Sequence, residues 1–364
     1  MYDIAVIGAG VNGSCIAYEL AKVYGNVVVF EKDGIASGGS GAAGAFIAPK
    51  FSKAGELKEI LHHAYLYSMK FYEDVAPSSF FKTRLIHIAK DAKDDEILKA
   101  YKQSTTIPLQ EQNIYNERES VSIDAGLVEP ISLCKKLLDG VEVIGHRVER
   151  LEFVDGCWVI DGVFQAKKVV VAIGAYKKII NEPYLDVIRG IWGHRIDVKT
   201  STNNPYSLHQ FVSVSPSKDG ILAIGATHNV HYHPEDSSCE YNFQDGRDEL
   251  LQKASRTIKL DDVEVIKDYV GLRSGSFDYL PIIGEIVDAD ATLKCCKKAV
   301  RVKKPQYDNF IYHQDLYMIN GSGGYGFVLA PYLAKILAES IVSKSKIPQT
   351  ITPARFFARW AKRL

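Results

Sequence analysis

Tyr2-Asp3-Ile4-Ala5-Val6-Ile7-Gly8-Ala9-Gly10-Val11-Asn12-Gly13 is the stretch on which the fold turns. Tyr2 to Ile7 is a compact apolar run closed by glycine, the composition of a strand buried on both faces of a parallel sheet. Ser14 to Val23 then carries apolar residues at helical spacing, at Ile16, Ala17, Leu20 and Ala21. Val27-Val28-Val29-Phe30 is a second buried strand that ends at Glu31. Strand, glycine turn, helix and strand make a βαβ unit.

Gly-x-Gly-x-x-Gly alone is a weak signal, but here a strand precedes it and a helix follows. Gly8 permits the tight turn, Gly10 lets a pyrophosphate approach the backbone, and Gly13 lets helix and strand pack closely. Phosphates would rest on the helix N-terminus at Val11 and Asn12, where free N–H groups and the dipole favour negative charge. Glu31 comes 23 positions after Gly8, the distance at which an acid binds ribose hydroxyls. Its charge repels a 2′-phosphate, which argues against NADP. The bland alternative is a glycine-rich turn with a surface Glu.

Working outward, Ala36-Ser37-Gly38-Gly39-Ser40-Gly41-Ala42-Ala43-Gly44-Ala45 is almost free of bulky side chains. So bare a backbone can lie against an extended phosphate–ribityl chain and a flat ring, which favours FAD over NAD. A flexible loop is the competing reading, but Phe46-Ile47-Ala48-Pro49 follows at once. Lys168 to Ile173, ending at Gly174, and Asp315 to Ile319 read as further strands of the same sheet. Asn320-Gly321-Ser322-Gly323-Gly324-Tyr325-Gly326-Phe327 and a helix from Tyr332 to Val342 follow the second of these. A glycine loop opening a helix is another positive dipole end, suited to negative charge on a reduced flavin.

Between these pieces lie period-2 patterns such as Gly220-Ile221-Leu222-Ala223-Ile224-Gly225. The expected architecture is therefore two-lobed α/β: a Rossmann-like FAD-binding domain with an inserted antiparallel substrate domain. The FAD-binding domain is expected at 1–75, 130–189 and 266–364, and the substrate domain at 76–129 and 190–265. The 364 residues carry 44 basic and 44 acidic side chains, and 46% are hydrophobic. These values exclude disordered and low-complexity classes and give no global attraction to nucleic acid or anionic lipid. Cys15, Cys134, Cys157, Cys239, Cys295 and Cys296 form no Cys-x-x-Cys pair, so neither a zinc site nor a disulfide framework is expected. With no uninterrupted apolar run of membrane-spanning length and no basic leader at the N-terminus, a cytoplasmic protein without membrane or metal is the expectation.

Gly271-Leu272-Arg273-Ser274-Gly275-Ser276-Phe277-Asp278-Tyr279-Leu280-Pro281-Ile282-Ile283-Gly284 mixes glycine, charge and apolar residues. Arg273, just after an expected strand at Tyr269-Val270, could grip a carboxylate with two parallel N–H bonds. A structural ion pair with Asp278 or Asp288 fits the spacing equally well.

Taken together, the fingerprint with Glu31, the small-residue segment, the Arg273 segment and the C-terminal glycine loop resemble the D-amino-acid-oxidase/glycine-oxidase superfamily of FAD-dependent oxidoreductases. Within it the chain is similar to the FAD-dependent C-terminal domain family of bifunctional tRNA 5-methylaminomethyl-2-thiouridine biosynthesis proteins. Ala36-Ser37-Gly38, Phe71-Tyr72, Ile224-Gly225-Ala226-Thr227-His228, Tyr279-Leu280-Pro281 and Pro353-x-Arg355 carry that narrower likeness. Two positions depart from it. Gly41-Ala42 stands where the family usually has Asn-Arg, and Gly323 where it usually has Arg.

The resemblance implies FAD held by Gly8, Gly10, Val11, Asn12, Gly13, Glu31, Lys32, Ser37, Gly38, Gly39, Ala43, Gly44, Ala45, Val148, Gly174, Gly321, Ser322, Gly323, Gly324, Tyr325 and Gly326. It implies oxidation of an amine α to a carboxylate, with Arg273 on the carboxylate and no obvious general base. On the tRNA reading the group oxidised is the carboxymethylaminomethyl of wobble uridine, released as glyoxylate. A free small amino acid, glycine, sarcosine or a D-amino acid, is the alternative, and a flavoprotein that only docks RNA is a third reading. Because the chain opens at the fingerprint, a stand-alone oxidoreductase is the expectation. RNA contacts are expected from Lys294, Lys297, Lys298, Arg301, Lys303 and Lys304, and from Arg355 and Arg359 in the basic tail. His228, His231 and His233 read as solvated loop residues.

Overall fold

The computed structural model describes residues 1–110, 118–238, 240–300 and 305–364, the side chains of 297–300 excepted. In chain order the strands are β1 Tyr2–Ile7, β2 Val27–Glu31, β3 Phe46–Ile47, β4 Phe80–Ile88, β5 Ser120–Val128, β6 Glu142–Gly145, β7 Leu151–Val154 and β8 Cys157–Ile160. They continue with β9 Phe164–Val171, β10 Ile188–Lys199, β11 Ser207–His209, β12 Ser213–Val214, β13 Ile221–Gly225, β14 Glu264–Ser276, β15 Ile282–Val287 and β16 Tyr312–Asn320. The helices are α1 Val11–Ala21, α2 Glu56–Val75, α3 Ala92–Ser104, α4 Pro130–Leu137, α5 Phe243–Ser255, α6 Ala289–Val300, α7 Gly326–Ser343 and α8 Ala354–Ala361.

One sheet runs β15-β16-β9-β1-β2-β6. β1 lies parallel between β2 and β9, and β16 is parallel to β9. Ile4, Val6, Val29 and Val170 are buried toward α1 and α7, while Ala5, Ile7, Val28 and Val171 are buried toward α8. Coverage of both faces is why these strands read as unbroken apolar runs.

α7 begins at Gly326, ahead of the expected Tyr332, and runs through Pro331. A proline inside a helix leaves the carbonyl four residues earlier without its N–H partner. Here that carbonyl, of Phe327, accepts the Tyr72 hydroxyl at 2.7 Å instead. Ser68 from the same helix donates to the next carbonyl, Val328, at 2.8 Å. The segment Gly323–Ser343 is apolar and long enough to cross a membrane by composition. Its buried residues, Leu329, Leu333 and Leu337 among them, join the core shared with α1 and α2.

The second sheet runs β14-β10-β13-β12-β11-β4-β5-β3. It is antiparallel except where β11 pairs with β4 in parallel. Two of its members lie outside the residue ranges expected for it. β14 extends to Ser276, past 265, and β3 pairs with β5 from within the N-terminal segment. Consequently Arg273 belongs to the second sheet.

Candidate active site

A cavity of about 570 Å³ lies between the two sheets. At one end is the turn from β1 into α1. Gly8 has φ +105°, a conformation that favours glycine. A Cβ on Gly13 would run into the Gly8 carbonyl, so Gly13 serves helix–strand packing and does not face the cavity. Gly10 does face it, and a Cβ there would stop 3.1 Å from Ser40 Oγ. Ser40 Oγ accepts the Val11 N–H at 2.9 Å, which ties the small-residue segment to the first turn of α1. Glu31 Oε2 accepts the Ala9 N–H at 2.7 Å and Oε1 the Asp33 N–H at 3.1 Å, so the acid also braces the glycine turn. Lys32 sits 4.1 Å from the centre of the Tyr176 ring.

The N-terminus of α7 faces the same cavity. Cβ atoms on Gly323 or Gly324 would meet no heavy atom within 4 Å. Packing within the protein therefore does not require glycine at Gly324, and the loop presents an open face to the cavity. Asn12 Nδ2 donates to Ser322 Oγ at 3.2 Å, joining the two helix starts. Gly321 is set back from the cavity, at φ +73°, with its N–H on Asn320 Oδ1 at 2.8 Å. Val11, Ser37, Gly38, Gly39, Ala43, Gly44, Ala45, Val148, Gly174, Tyr325 and Gly326 all line the cavity.

The bareness of 36–45 has a second cause. A Cβ on Gly39 would overlap the Leu272 carbonyl, and one on Gly271 would come within 2.8 Å of Gly39 Cα and 2.9 Å of Ala42 Cβ. Loop and β14 interlock through absent side chains. Arg195 secures the arrangement by donating Nη1–H to the Ala43 carbonyl at 3.1 Å, while its guanidinium stacks 3.8 Å from the centre of the Tyr269 ring.

Arg273 lies inside β14, not beyond the end of a strand as its sequence context suggested. Its Nη2 donates to the Thr227 carbonyl at 2.8 Å. A Cβ on Gly193 would overlap the guanidinium, so the glycine of β10 leaves the space the cation occupies. Among the described residues no carboxylate pairs with Arg273. Asp278 is held by Arg355, from Nε and Nη2 at 3.0 Å each, and by Arg359 at 2.8 Å. Asp288 caps α6 by accepting the Ala291 N–H at 2.8 Å. Burial works against the charge of Arg273 and lowers its pKa from the usual arginine value. An anion brought to this guanidinium would offset that cost.

Arg355 is a correction to the expected RNA-contacting set. It is only 4% exposed, and its remaining donors go to the Leu280 and Thr352 carbonyls at 3.0 Å. The expectation missed this because basic residues in a tail read as solvated, whereas α8 turns this one inward against the Asp278 loop. Arg359 is exposed but paired with Asp278. Lys294 is exposed on α6. The side chains of Lys297 and Lys298, and residues Arg301, Lys303 and Lys304, lie outside the described residues. His228 and His231 are exposed, and His233 is half-buried with Nε2 3.3 Å from the Ala175 carbonyl.

Sequence reasoning passed over Ser40, Gly193, Arg195 and Thr227. Gly193 had a signal, since a single glycine within a strand marks a close approach. The other three act through partners 29 to 152 positions away, and no local pattern shows that. A separate group outside the cavity lining, Glu182, Asp288 and His313, gathers ligand-type atoms within 4.8 Å. There His313 Nε2 is bonded to Glu182 at 2.6 Å.

A family model described as FAD dependent oxidoreductase, DAO, matches residues 3–340. Among curated relatives, the tRNA 5-methylaminomethyl-2-thiouridine biosynthesis bifunctional protein MnmC of Campylobacter jejuni is 24% identical over 381 residues, covering 99% of this chain and 59% of the relative. The protein of the same name from Leptospira interrogans is 25% identical over 399 residues, covering 98% of this chain and 60% of the relative. The chain thus spans about three fifths of the length of these relatives. Among solved structures, glycine oxidase from Bacillus cereus superposes with a TM-score of 0.75 at 18% identity, over 95% of this chain and 96% of that one. Iminodiacetate oxidase from a Chelativorans species gives 0.70 at 16% identity, over 96% and 98%.

Proposed function

Since the chain belongs to the DAO family of FAD-dependent oxidoreductases, we propose that it acts on a CH–NH bond and that its substrate is the carboxymethylaminomethyl group of a tRNA wobble uridine, released as glyoxylate to leave aminomethyl-uridine. The observation that carries this reading is Arg273: a half-buried guanidinium at the cavity with one carbonyl acceptor and, among the described residues, no acid. Such a group is built for a carboxylate that arrives with the substrate. Relatives named for tRNA modification, matched over 98–99% of this chain, support the RNA part.

FAD fits the residues present. The N-terminus of α1 and Gly10 suit its pyrophosphate, Glu31 its ribose hydroxyls, and the open face of Gly323 and Gly324 its ring. When bound, it accepts the hydride of the substrate methylene. The chain's own residues then have defined tasks. Arg273 holds the carboxylate and so fixes the methylene beside it, while Thr227 and the space over Gly193 fix Arg273. Loss of hydride from the methylene and of a proton from the amine nitrogen leaves a carbon–nitrogen double bond. Water adds to that carbon, and cleavage of its bond to nitrogen gives glyoxylate and the primary amine. No side chain is assigned as base, because a deprotonated amine supplies the electron pair that expels the hydride.

The basic run at 294–304 and exposed Arg359 are proposed as phosphate contacts, and a tRNA substrate carries with it a cytoplasmic site of action. The reading is tested by incubating the enzyme with tRNA bearing carboxymethylaminomethyl-uridine, then analysing the nucleosides and the small-molecule product. Aminomethyl-uridine and glyoxylate in equal amounts are expected. Unchanged tRNA beside oxidised free glycine would establish the free-amino-acid reading instead.

A further inference from the structure

The floor of the cavity carries a feature the carboxylate site does not use. Five residues form one line across the second sheet, each paired with the next. Arg195 pairs with Gly225, Gly225 with Ser213, Ser213 with His209, and His209 with His87. Cross-strand partners present their side chains on the same face, and all five residues line the cavity. At about 4.8 Å per strand, the line runs roughly 19 Å from β10 to β4. That is far longer than glycine needs.

The line is polar, with Arg195 as its one charged member. Arg195 has Asp197 Oδ1 3.8 Å from its Nη2. Burial lowers the pKa of His87 to about 3 and of His209 to about 4, so both imidazoles are neutral at physiological pH. A neutral imidazole offers one donor and one acceptor. The walls are aromatic: Phe51 stacks on His87 with ring centres 4.5 Å apart, and Phe46 meets His209 edge-on at 4.8 Å. Arg195 Nε, His209 Nε2 and His87 Nδ1 are enclosed without a hydrogen-bond partner among the described residues. Buried polar atoms of this kind cost stability unless a partner is supplied. These three nitrogens are closed off from the cavity, so what a ligand there meets is the rest of each cavity-lining side chain, set in one polar line.

Resting on the proposed function, we infer that the line Arg195–Ser213–His209–His87 is a recognition site for an uncharged, flat nitrogen heterocycle joined to the carboxylate that Arg273 holds. Its chemistry suits a ring edge alternating N–H and C=O groups, as in a pyrimidine nucleoside. Gly225 keeps the middle of the line clear of side chains.

The test uses the FAD-loaded enzyme and two ligands that cannot be oxidised: 5-carboxymethyluridine, which carries ring and carboxylate, and acetate, which carries the carboxylate alone. Dissociation constants are read from perturbation of the flavin absorbance band, for the native chain and for the double variant His87→Phe with His209→Phe. Phenylalanine keeps the packing against Phe51 and Phe46 but removes the nitrogens. The native enzyme should bind 5-carboxymethyluridine at least about tenfold more tightly than acetate. The variant should lose most of that preference while keeping its affinity for acetate and its flavin content. No preference in the native enzyme, an equal weakening of both ligands, or loss of flavin from the variant would each overturn the inference. Preference for the nucleoside together with failure to oxidise modified tRNA would instead count against the proposed reaction and leave the recognition site standing.

Discussion

Gly193 stands diagonally across from Arg273 on the neighbouring strand, and the absence of a side chain on one gives the other its position. Two predictions belong at this scale. Arg273→Ala should retain flavin but lose about 2–4 kcal/mol of transition-state stabilisation, a fall of roughly 30- to 900-fold in kcat/KM. Steady-state kinetics on the carboxylate substrate check this, and unchanged kinetics would make Arg273 structural. Gly193→Ala should raise KM with flavin content intact, because the added methyl displaces the guanidinium and leaves the cofactor end of the cavity untouched. The chemistry of Arg273 was legible from its place between glycines. Its freedom from Asp278 was not, because that acid's partners arrive from α8, which lies 77 and 81 positions away in sequence.

Single elements show why some structure could be read from the chain and some could not. β1, α1 and β2 announce themselves through local pattern within the first thirty-one residues: an apolar run, the glycines at 8, 10 and 13, and helical spacing. The start of α7 was misplaced because Pro331 reads as a helix boundary, and only the Tyr72 hydroxyl of a distant helix makes the earlier start tenable. Tyr72→Phe should therefore strand the Phe327 carbonyl and cost about 1–3 kcal/mol, measurable as a lowered urea midpoint. The end of β14 was set too early because its glycines resemble a loop, whereas Gly271 is where the strand meets the bare segment 36–45. Gly10→Val should block backbone approach at the first turn of α1. The purified variant is expected to be colourless; a normally yellow one would move the cofactor elsewhere.

For the whole molecule, equal numbers of acidic and basic residues hide strong local differences. One is buried histidine. His87 and His209 have folded pKa values of about 3 and about 4, below the value of about 6.5 expected for the unfolded chain. His62 and His194 shift in the same direction, chiefly through burial. The unfolded state therefore takes up more protons as pH falls below about 6.5, and stability should drop through the window down to about pH 4. Each of His87 and His209 contributes at most about 1.4 kcal/mol per pH unit. Urea unfolding across that window should show the slope, and His87→Phe with His209→Phe should flatten it. Another local difference is the run 294–304. Neutralising Lys297, Lys298, Lys303 and Lys304 should weaken tRNA binding and reduce its dependence on salt, and an identical salt slope would remove that run from the RNA interface.

The joint claim that Arg273 receives a carboxylate and that RNA delivers it is met most directly by anaerobic bleaching of the bound flavin. The enzyme is mixed with tRNA bearing carboxymethylaminomethyl-uridine and, separately, with free glycine at equal concentration. Rapid, stoichiometric bleaching by the tRNA, with little by glycine, is the predicted result. Bleaching by glycine with none by the tRNA would contradict it.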